Sequence, residues 1–176
     1  MGTTEICYKG AVEPTDDEVE VLDPQAVFGE RSPCFGCSPS HPIGLHLSFE
    51  RRGDVVSTRF TPGEQYQGPP GVLHGGLVTT LADELAAWTV IGLRGRMGFT
   101  ASLSGRLRAP LRIGREIEGT GRITRDLRRL LDVEVELAQD GEVAFTGAFT
   151  FAVLDRRGAE KMLQAPLPEA WQRFCR

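Results

Sequence analysis

Features of membrane and secreted proteins are missing from this sequence of 176 residues. No stretch approaches the roughly 18 consecutive apolar residues that typify a transmembrane helix. The N-terminus lacks the basic flank and the following apolar segment of a secretory signal. The chain has only four cysteines, which are scattered along its length. We therefore predict a cytoplasmic protein that has no membrane span, no membrane partner and no disulfide bonds.

The strongly basic charge of a nucleic-acid-binding domain is also absent. The formal net charge is −4 at pH 7, and residues 1–30 carry −7 while the rest of the chain carries +3. Arginine supplies most of the positive charge, which suits a small anionic ligand better than a nucleic acid. Residues 1–30 show little periodicity, so we predict an acidic, extended or partly disordered N-terminal extension with a short helix near residues 24–28.

A single CxxC motif, Cys34 to Cys37, precedes the first predicted strand, and His41 follows it. Structural zinc sites use four ligands, commonly two such pairs. The sequence offers no second pair, because the other two cysteines lie near the ends of the chain. We therefore predict that this loop packs against the core, and we expect no metal ion and no cofactor.

An apolar helix is the strongest pattern in the sequence. It follows the turn-forming residues 68–71 (GPPG) and the motif His74-Gly75-Gly76, and it ends near Gly92. The residues that repeat along one helical face are Leu77, Leu81, Leu85 and Trp88. Most other positions are also small or apolar, so we predict that the helix lies buried within the fold.

Two adjacent carboxylates, Asp83 and Glu84, interrupt this apolar helix. Neither has a lysine or arginine three or four positions away with which to pair. A buried carboxylate without a partner is energetically costly. Both residues are therefore candidates for a functional site.

Alternating apolar residues predict strands on both sides of the helix. The predicted strands are residues 43–50, 55–60, 99–109, 116–124, 131–137 and 143–153. One helix cannot cover both faces of such a sheet, so we predict an α+β fold in which a curved antiparallel sheet wraps around one long central helix. The predicted domain spans residues 31–155, and a C-terminal extension, residues 156–176, follows with a short amphipathic helix near its end.

Residues 34–154 resemble the hotdog-fold acyl-CoA thioesterases of the phenylacetate-pathway type, in the sub-group with a CxxC loop. The matching segments are CFGCSPSHPIGLHL, YQGPPGVLHGGLVTTLADE, LRAPLRIGREI and DGEVAFTGAFTFAVL. The resemblance implies the hotdog fold and an enzyme that hydrolyses an acyl-CoA or acyl-carrier thioester.

The resemblance also implies roles for three residues. Asp83 is the nucleophile or the general base for water, the Gly75 amide polarises the thioester carbonyl, and Thr100 on the next strand assists. A one-residue rotation of the helix would exchange Glu84 for Asp83. Glycine at 75 and 76 lets a carbonyl approach the helix N-terminus, whose free N–H groups can hold a developing oxyanion.

Two further candidates flank the helix start. Several relatives carry Asn or Gln six residues before the histidine; that position is Gly68 here, so the neighbouring Gln67 is the candidate for this role. His74 lies beside the helix start, where it is better placed to fix the turn than to act as a general base.

The spacing of Gly75 and Asp83 predicts a dimer. The two residues are eight positions apart, about 12 Å along a helix. Reacting groups must lie within about 3.5 Å of a shared centre. If both act on one carbonyl, antiparallel helices from two subunits could pair Gly75 of one with Asp83 of the other, so an enzyme of this kind requires a dimer. The resemblance likewise implies an active site at the interface of a homodimer or homotetramer.

Arginines that follow the helix are candidates for binding the phosphates of coenzyme A, since guanidinium groups suit phosphate. Among them we select Arg106, Arg108, Arg125 and Arg128. The alternative is that these charges solvate and protect a sheet edge.

Other function classes remain open because one fold hosts many functions. A hydratase or dehydratase acting on acyl thioesters is one, although we find no Asp and His pair of the type that such relatives place together. A non-catalytic acyl-CoA-binding or regulatory protein is another. The acidic N-terminal extension could also act as an interaction module.

Overall fold

A computed structural model describes residues 18–29 and 32–175 of the chain. The strands are β1 Val19–Leu22, β2 Phe49–Arg52, β3 Val55–Phe60, β4 Gly98–Leu107, β5 Ile117–Leu127, β6 Leu130–Gln139 and β7 Glu142–Val153. The α-helices are α1 Pro24–Phe28, α2 Gly75–Arg94 and α3 Arg156–Leu163. Two 3₁₀ helices, Glu64–Tyr66 and Glu169–Phe174, complete the described elements.

The strands form a single seven-stranded sheet in the order β1-β2-β3-β5-β6-β7-β4. Every neighbouring pair is antiparallel. Helix α2 packs on strands across this sheet, from β2 and β3 to β7 and β4. The predicted α+β class, a sheet wrapped around one long central helix, is therefore confirmed. Strand β4 pairs with β7 only and forms an edge of the sheet among the described residues.

Helix α2 begins and ends where local chemistry favours it. At the N-terminus, Nδ1 of His74 accepts a hydrogen bond from the N–H of Gly76 at 3.0 Å, which satisfies one of the free amides of the first turn. At the C-terminus, Gly95 adopts the left-handed conformation (φ 56°), and its N–H bonds to the carbonyl of Ile91. The helix therefore has a defined register, and this register fixes where Asp83 and Glu84 point.

The core forms between the sheet and the apolar faces of α2. Trp88 is buried and stacks on Phe49 of β2 with 4.8 Å between ring centroids. Phe28 of α1 packs edge-on against the same Trp88. Leu81 and Leu85 are fully buried. By length and hydropathy alone, α2 is also the one helix in the described ranges that could cross a membrane, but its packing against the sheet accounts for its apolar surface.

Residues 43–48, which were predicted as part of a strand, differ from the sequence prediction. Residues 43–48 form no strand; Leu45 and Leu47 are buried alternately because their N–H groups bond to Phe35 and Gly36 of the CxxC loop. His46 between them has a positive φ (54°), which is incompatible with a regular strand. Alternating burial there reflects loop packing rather than a strand.

The termini contain elements that were not predicted from the sequence. Strand β1 pairs with β2, so part of the predicted N-terminal extension joins the sheet. The short helix predicted near residues 24–28 is present as α1, and residues 1–17 of the extension lie outside the described residues. Helix α3 was not predicted, and the helix near the C-terminus is a 3₁₀ helix at Glu169–Phe174.

Candidate active site

Asp83 and Thr100 are in direct contact on the sheet-facing side of α2. The Thr100 hydroxyl donates a hydrogen bond of 2.7 Å to Oδ1 of Asp83. Asp83 is half-buried, and this burial raises its pKa above the ordinary range while the bond from Thr100 opposes the rise. Its carboxylate is therefore more basic than that of an exposed aspartate, and its orientation is fixed.

A β-bulge in β4 brings Thr100 to this contact. Thr100 lies opposite Phe151 of β7, whereas Ser102 lies opposite Thr150, so the register shifts by one residue between them. Strict alternation would have placed Thr100 on the same face as Ser102 and away from the helix. The bulge turns the hydroxyl inward, and the sequence alternation alone gave no sign of it.

At the start of α2, one amide is available as a hydrogen-bond donor. The Gly76 N–H is already bonded to His74, whereas the described residues provide no partner for the Gly75 N–H. A methyl group built on Gly75 would meet nothing closer than Cδ1 of Leu107 at 3.9 Å, so the space beside its Cα is open. Gly75 is thus better placed than Gly76 to bind a carbonyl oxygen.

A groove of about 340 Å³ lies beside the Gly75 amide. Its mostly apolar lining is Pro69, Val72, Leu73, Gly75, Val78, Leu107, Arg108, Ala109, Pro110 and Leu111. Arg108 is the one charged residue of this lining, and it also borders a cleft on the outer face of the sheet, where its Nε donates a hydrogen bond of 3.3 Å to Oγ1 of Thr146. Of the four arginines selected from the sequence, Arg108 is the one that borders the groove.

The other selected arginines lie elsewhere in the described chain. Arg106 borders a wider cleft of about 740 Å³ on the outer face of the sheet. Arg125 lies near the end of β5 and Arg128 in the turn that follows it. Both are near the C-terminal end of α2, where Arg94 pairs with Asp126 of β5. Arg125 itself pairs with Asp132. A helix of this length separates that turn from Gly75 by about 30 Å.

The side chains of Gln67 and His74 both accept hydrogen bonds from backbone N–H groups in this structure. Oε1 of Gln67 accepts a hydrogen bond from the N–H of Gly71 at 3.0 Å, which closes the turn before α2. His74 uses Nδ1 as the helix cap, so its neutral ring carries the proton on Nε2. Both side chains are exposed, and any catalytic role for them stays a prediction.

Glu84 points to a different neighbourhood, the CxxC loop. Sγ of Cys34 lies 3.3 Å from Oε1 of Glu84, and Cys37 is adjacent. Burial, with a further contribution from Cys34, raises the pKa of Glu84 to about 8. The hydrogen bond with Cys37 holds the pKa of Cys34 at about 5, and the same bond together with burial raises the pKa of Cys37. Cys34 is therefore the first of the two thiols to lose its proton.

The contact between Glu84 and the CxxC motif was not predicted from the sequence, because 50 positions separate Cys34 from Glu84 in the chain. The sequence did show that Glu84 has no lysine or arginine three or four positions away. This absence indicated that some other group must contact Glu84.

Comparison with known proteins bears on what this site does. Residues 70–145 match the family model described as the thioesterase superfamily. No curated protein matches the chain. The matched residues include α2, with both carboxylates, and β4 to β6.

Solved structures share the fold at low identity. One is described as a thioesterase superfamily protein; it is 24% identical over 82% of this chain and 70% of its own, with a TM-score of 0.64. A hypothetical thioesterase from Streptococcus pneumoniae TIGR4, solved with coenzyme A, is 22% identical over 61% of this chain and 84% of its own, with a TM-score of 0.57.

A third structure comes from Ralstonia eutropha JMP134 and is described as a phenylacetic acid degradation-related protein. It is 23% identical over 62% of this chain and 86% of its own, with a TM-score of 0.58. The family match confirms the resemblance to the thioesterase superfamily that the sequence motifs indicated. The solved structures confirm the hotdog fold.

Proposed function

We propose that this thioesterase-superfamily chain is a dimeric enzyme that hydrolyses an acyl-CoA thioester, with Asp83 and the Gly75 amide in its active site. The observation that carries the proposal is the contact between Asp83 and Thr100. It fixes a half-buried carboxylate of raised pKa on an otherwise apolar helix. Buried acids in such surroundings are typical of catalytic groups.

Asp83 has two chemical routes to the thioester. As a general base, it takes a proton from water, whose oxygen then attacks the carbonyl carbon. As a nucleophile, it forms an anhydride that water later cleaves. In both routes the C–S bond breaks, the thiol product takes up a proton, and a free acid is released. Thr100 positions the carboxylate and does not itself react.

The Gly75 amide supplies the oxyanion donor in this proposal. The described residues give the Gly75 N–H no hydrogen-bond partner, and the space beside the Gly75 Cα is open. The helix N-terminus adds partial positive charge at the same place. One such donor stabilises a transition state by about 3 kcal/mol.

Dimerisation brings the two groups to one carbonyl. Gly75 and Asp83 of one chain are about 12 Å apart along α2, so the donor and the carboxylate must come from two antiparallel helices. Strand β4 offers a free sheet edge with Leu103 and Leu107 exposed at 49% and 60%. An edge with such apolar residues is a natural site for pairing with a second copy.

Arg108 supports the choice of an anionic carrier. It borders the groove beside Gly75, where its guanidinium could pair with a phosphate of coenzyme A. The coenzyme A in the Streptococcus pneumoniae structure agrees with such a ligand. A carrier protein bears a phosphate at the corresponding point of its own prosthetic arm, so it is the alternative thiol carrier.

The test is a panel of acyl-CoA thioesters, from short to long and aromatic, assayed by release of free thiol. Asp83→Asn is the inactivating variant, and Glu118→Gln, a carboxylate-to-amide change on the exposed face of β5, is the matched control. Turnover by the wild type and the control, but not by Asp83→Asn, supports the proposal. Absence of turnover on every thioester and on acylated carrier protein, with ligand binding intact, would instead indicate a non-catalytic acyl-CoA-binding protein.

A further inference from the structure

A second cluster of reactive side chains lies on a different side of α2 from Thr100. One ligand-type atom each from Cys34, Cys37 and Glu84 lies within 4.8 Å of the other two. Gly36 makes this possible, because a methyl group at that position would lie 2.2 Å from the Cγ and Cδ atoms of Glu84. The CxxC loop therefore rests directly on the Glu84 side chain.

The charge of this cluster is not balanced within the described residues. None of the ion pairs found in residues 18–29 and 32–175 includes Glu84. Glu84 is partly buried and Cys37 is 2% exposed, so water does not fully solvate either group. Two thiols and a carboxylate can together carry negative charge, and a cation is the partner that would offset it.

We propose that Cys34, Cys37 and Glu84 bind one thiophilic divalent cation, for which Zn²⁺ is the best fit. Thiolates select soft or borderline metals, and zinc accepts sulfur and carboxylate ligands together. Three protein ligands leave the fourth position for water or an added ligand. Cys34 is partly exposed, which provides a path by which the ion and that ligand can enter.

The ligand spacing agrees with a tetrahedral ion. Zinc bonds of about 2.3 Å to sulfur and about 2.1 Å to oxygen place the two ligand atoms about 3.5 Å apart. The Cys34 Sγ to Glu84 Oε1 distance is 3.3 Å. The N–H of Cys37 also points at Sγ of Cys34, at 3.5 Å. Such an amide contact orients a thiolate ligand from the surrounding protein.

A metal explains more of this cluster than a disulfide does. A bond between Cys34 and Cys37 would use both sulfur atoms but would leave the Glu84 carboxylate without a positive partner. A bound ion engages all three groups and links the CxxC loop to α2 one residue from Asp83. Its role is then to hold the loop against the helix, and it takes no part in the hydrolysis proposed above.

Metal content of the purified full-length chain tests the site directly. The protein is incubated with ZnSO₄ under reducing conditions, desalted, and analysed by elemental mass spectrometry. We expect one zinc per chain. Replacement by Co²⁺ should give a sulfur-to-cobalt charge-transfer band in the near ultraviolet, which reports thiolate ligation without any assay of activity.

Variants identify the ligands. Cys34→Ser and Cys37→Ser should abolish retention of the metal, and Glu84→Gln should weaken zinc affinity at least tenfold in competition with a chromogenic chelator. Cys175→Ser is the matched control, because Cys175 is a buried free cysteine outside the cluster. It should retain one zinc and the cobalt spectrum.

Several outcomes would overturn the proposal. One is a folded wild-type protein that keeps no zinc and gives no cobalt–sulfur band. Another is zinc loss in Cys175→Ser equal to that in the CxxC variants, and a third is full zinc affinity in Glu84→Gln. A chain that is 2 Da lighter, has two fewer free thiols and retains no metal would instead assign the two cysteines to a disulfide. If a serine variant fails to fold, the wild-type metal and cobalt measurements still decide the question.

Discussion

Asp83 and Glu84 are neighbours on one helix, yet they belong to two different regions of the molecule. Asp83 contacts the hydroxyl of Thr100 on the edge strand β4. Glu84 contacts the sulfur of Cys34 in the loop before β2. Both are partly buried acids of raised pKa, and neither forms an ion pair in the described ranges.

The difference comes from helix geometry. Successive residues of a helix point about 100° apart, so two adjacent acids can face different elements of the fold. One then faces the sheet edge proposed for the dimer interface and the other faces the CxxC loop. Chemical similarity of the two side chains therefore says little about their functions, whereas their contacts separate a proposed catalytic acid from a proposed metal ligand.

The largest expected effect concerns the catalytic half of this pair. Asp83→Asn removes the base or nucleophile but keeps the size of the side chain. We expect kcat/KM for the best acyl-CoA to fall about 10³-fold, a typical contribution of a general base. Thiol release in stopped assays measures it, with Glu118→Gln as the control. If Asp83→Asn kept wild-type turnover, Asp83 would not be the catalytic acid, and the proposed difference in function between Asp83 and Glu84 would no longer hold.

Thr100 should have a smaller effect and a distinctive pH signature. Thr100→Val removes a hydrogen bond to a charged group, and we expect kcat to fall about 10-fold. Asp83 must be ionised to act, so activity falls as pH drops through its pKa. Because the Thr100 bond lowers that pKa, its loss should move the acidic limb of the rate profile to higher pH.

Rescue separates positioning by Thr100 from simple packing. Thr100→Ser keeps the hydroxyl and should restore both the rate and the position of the acidic limb. A Thr100→Val enzyme whose pH profile overlays that of the wild type would show that the contact with Asp83 does not matter in solution.

A substitution at Gly36 tests the packing of the CxxC loop on the Glu84 side chain. Gly36→Ala places a methyl group 2.2 Å from two carbons of Glu84, and we expect the free energy of unfolding to fall by about 2 kcal/mol. Chemical denaturation measures this change. In a Glu84→Ala background the same substitution should cost less, because the clash is gone. Equal costs in both backgrounds would mean that the loop does not rest on Glu84.

The smallest expected effect is at Arg108 beside the Gly75 groove. Arg108→Ala should raise KM for acyl-CoA about fivefold with little change in kcat, because it removes a phosphate contact shared by ground and transition states. Arg59→Ala, on exposed β3, is the control. An unchanged KM for Arg108→Ala would mean that coenzyme A is held by other cations.

Much of the fold was predictable because the signals are local. The apolar period from Leu77 to Trp88 predicted α2, and the residues around it predicted its start at the His74-Gly75-Gly76 motif. Alternation predicted β3 to β7 to within a few residues. The same reasoning failed at residues 43–48, where apolar residues alternate in burial because this segment packs against the CxxC loop.

The candidate site was predictable only in part. The sequence identified Asp83, Glu84 and Gly75 as unusual residues on an apolar helix, because charge and glycine stand out there. The family resemblance favoured Asp83, but the residue pattern alone did not separate the two acids, since helix phase relative to the sheet depends on packing. It also gave no sign that Gly76 is engaged by His74 and that Gly75 is left free.

The sequence by itself determined the central helix, most strands and the family resemblance, because each rests on periodicity or on short motifs. Only the tertiary structure decided which way the side chains face. Thr100 reaches Asp83 through a bulge that arises from pairing with β7, and Glu84 meets Cys34 across 50 positions of chain. Both contacts depend on long-range packing, whose geometry no local pattern of residues records.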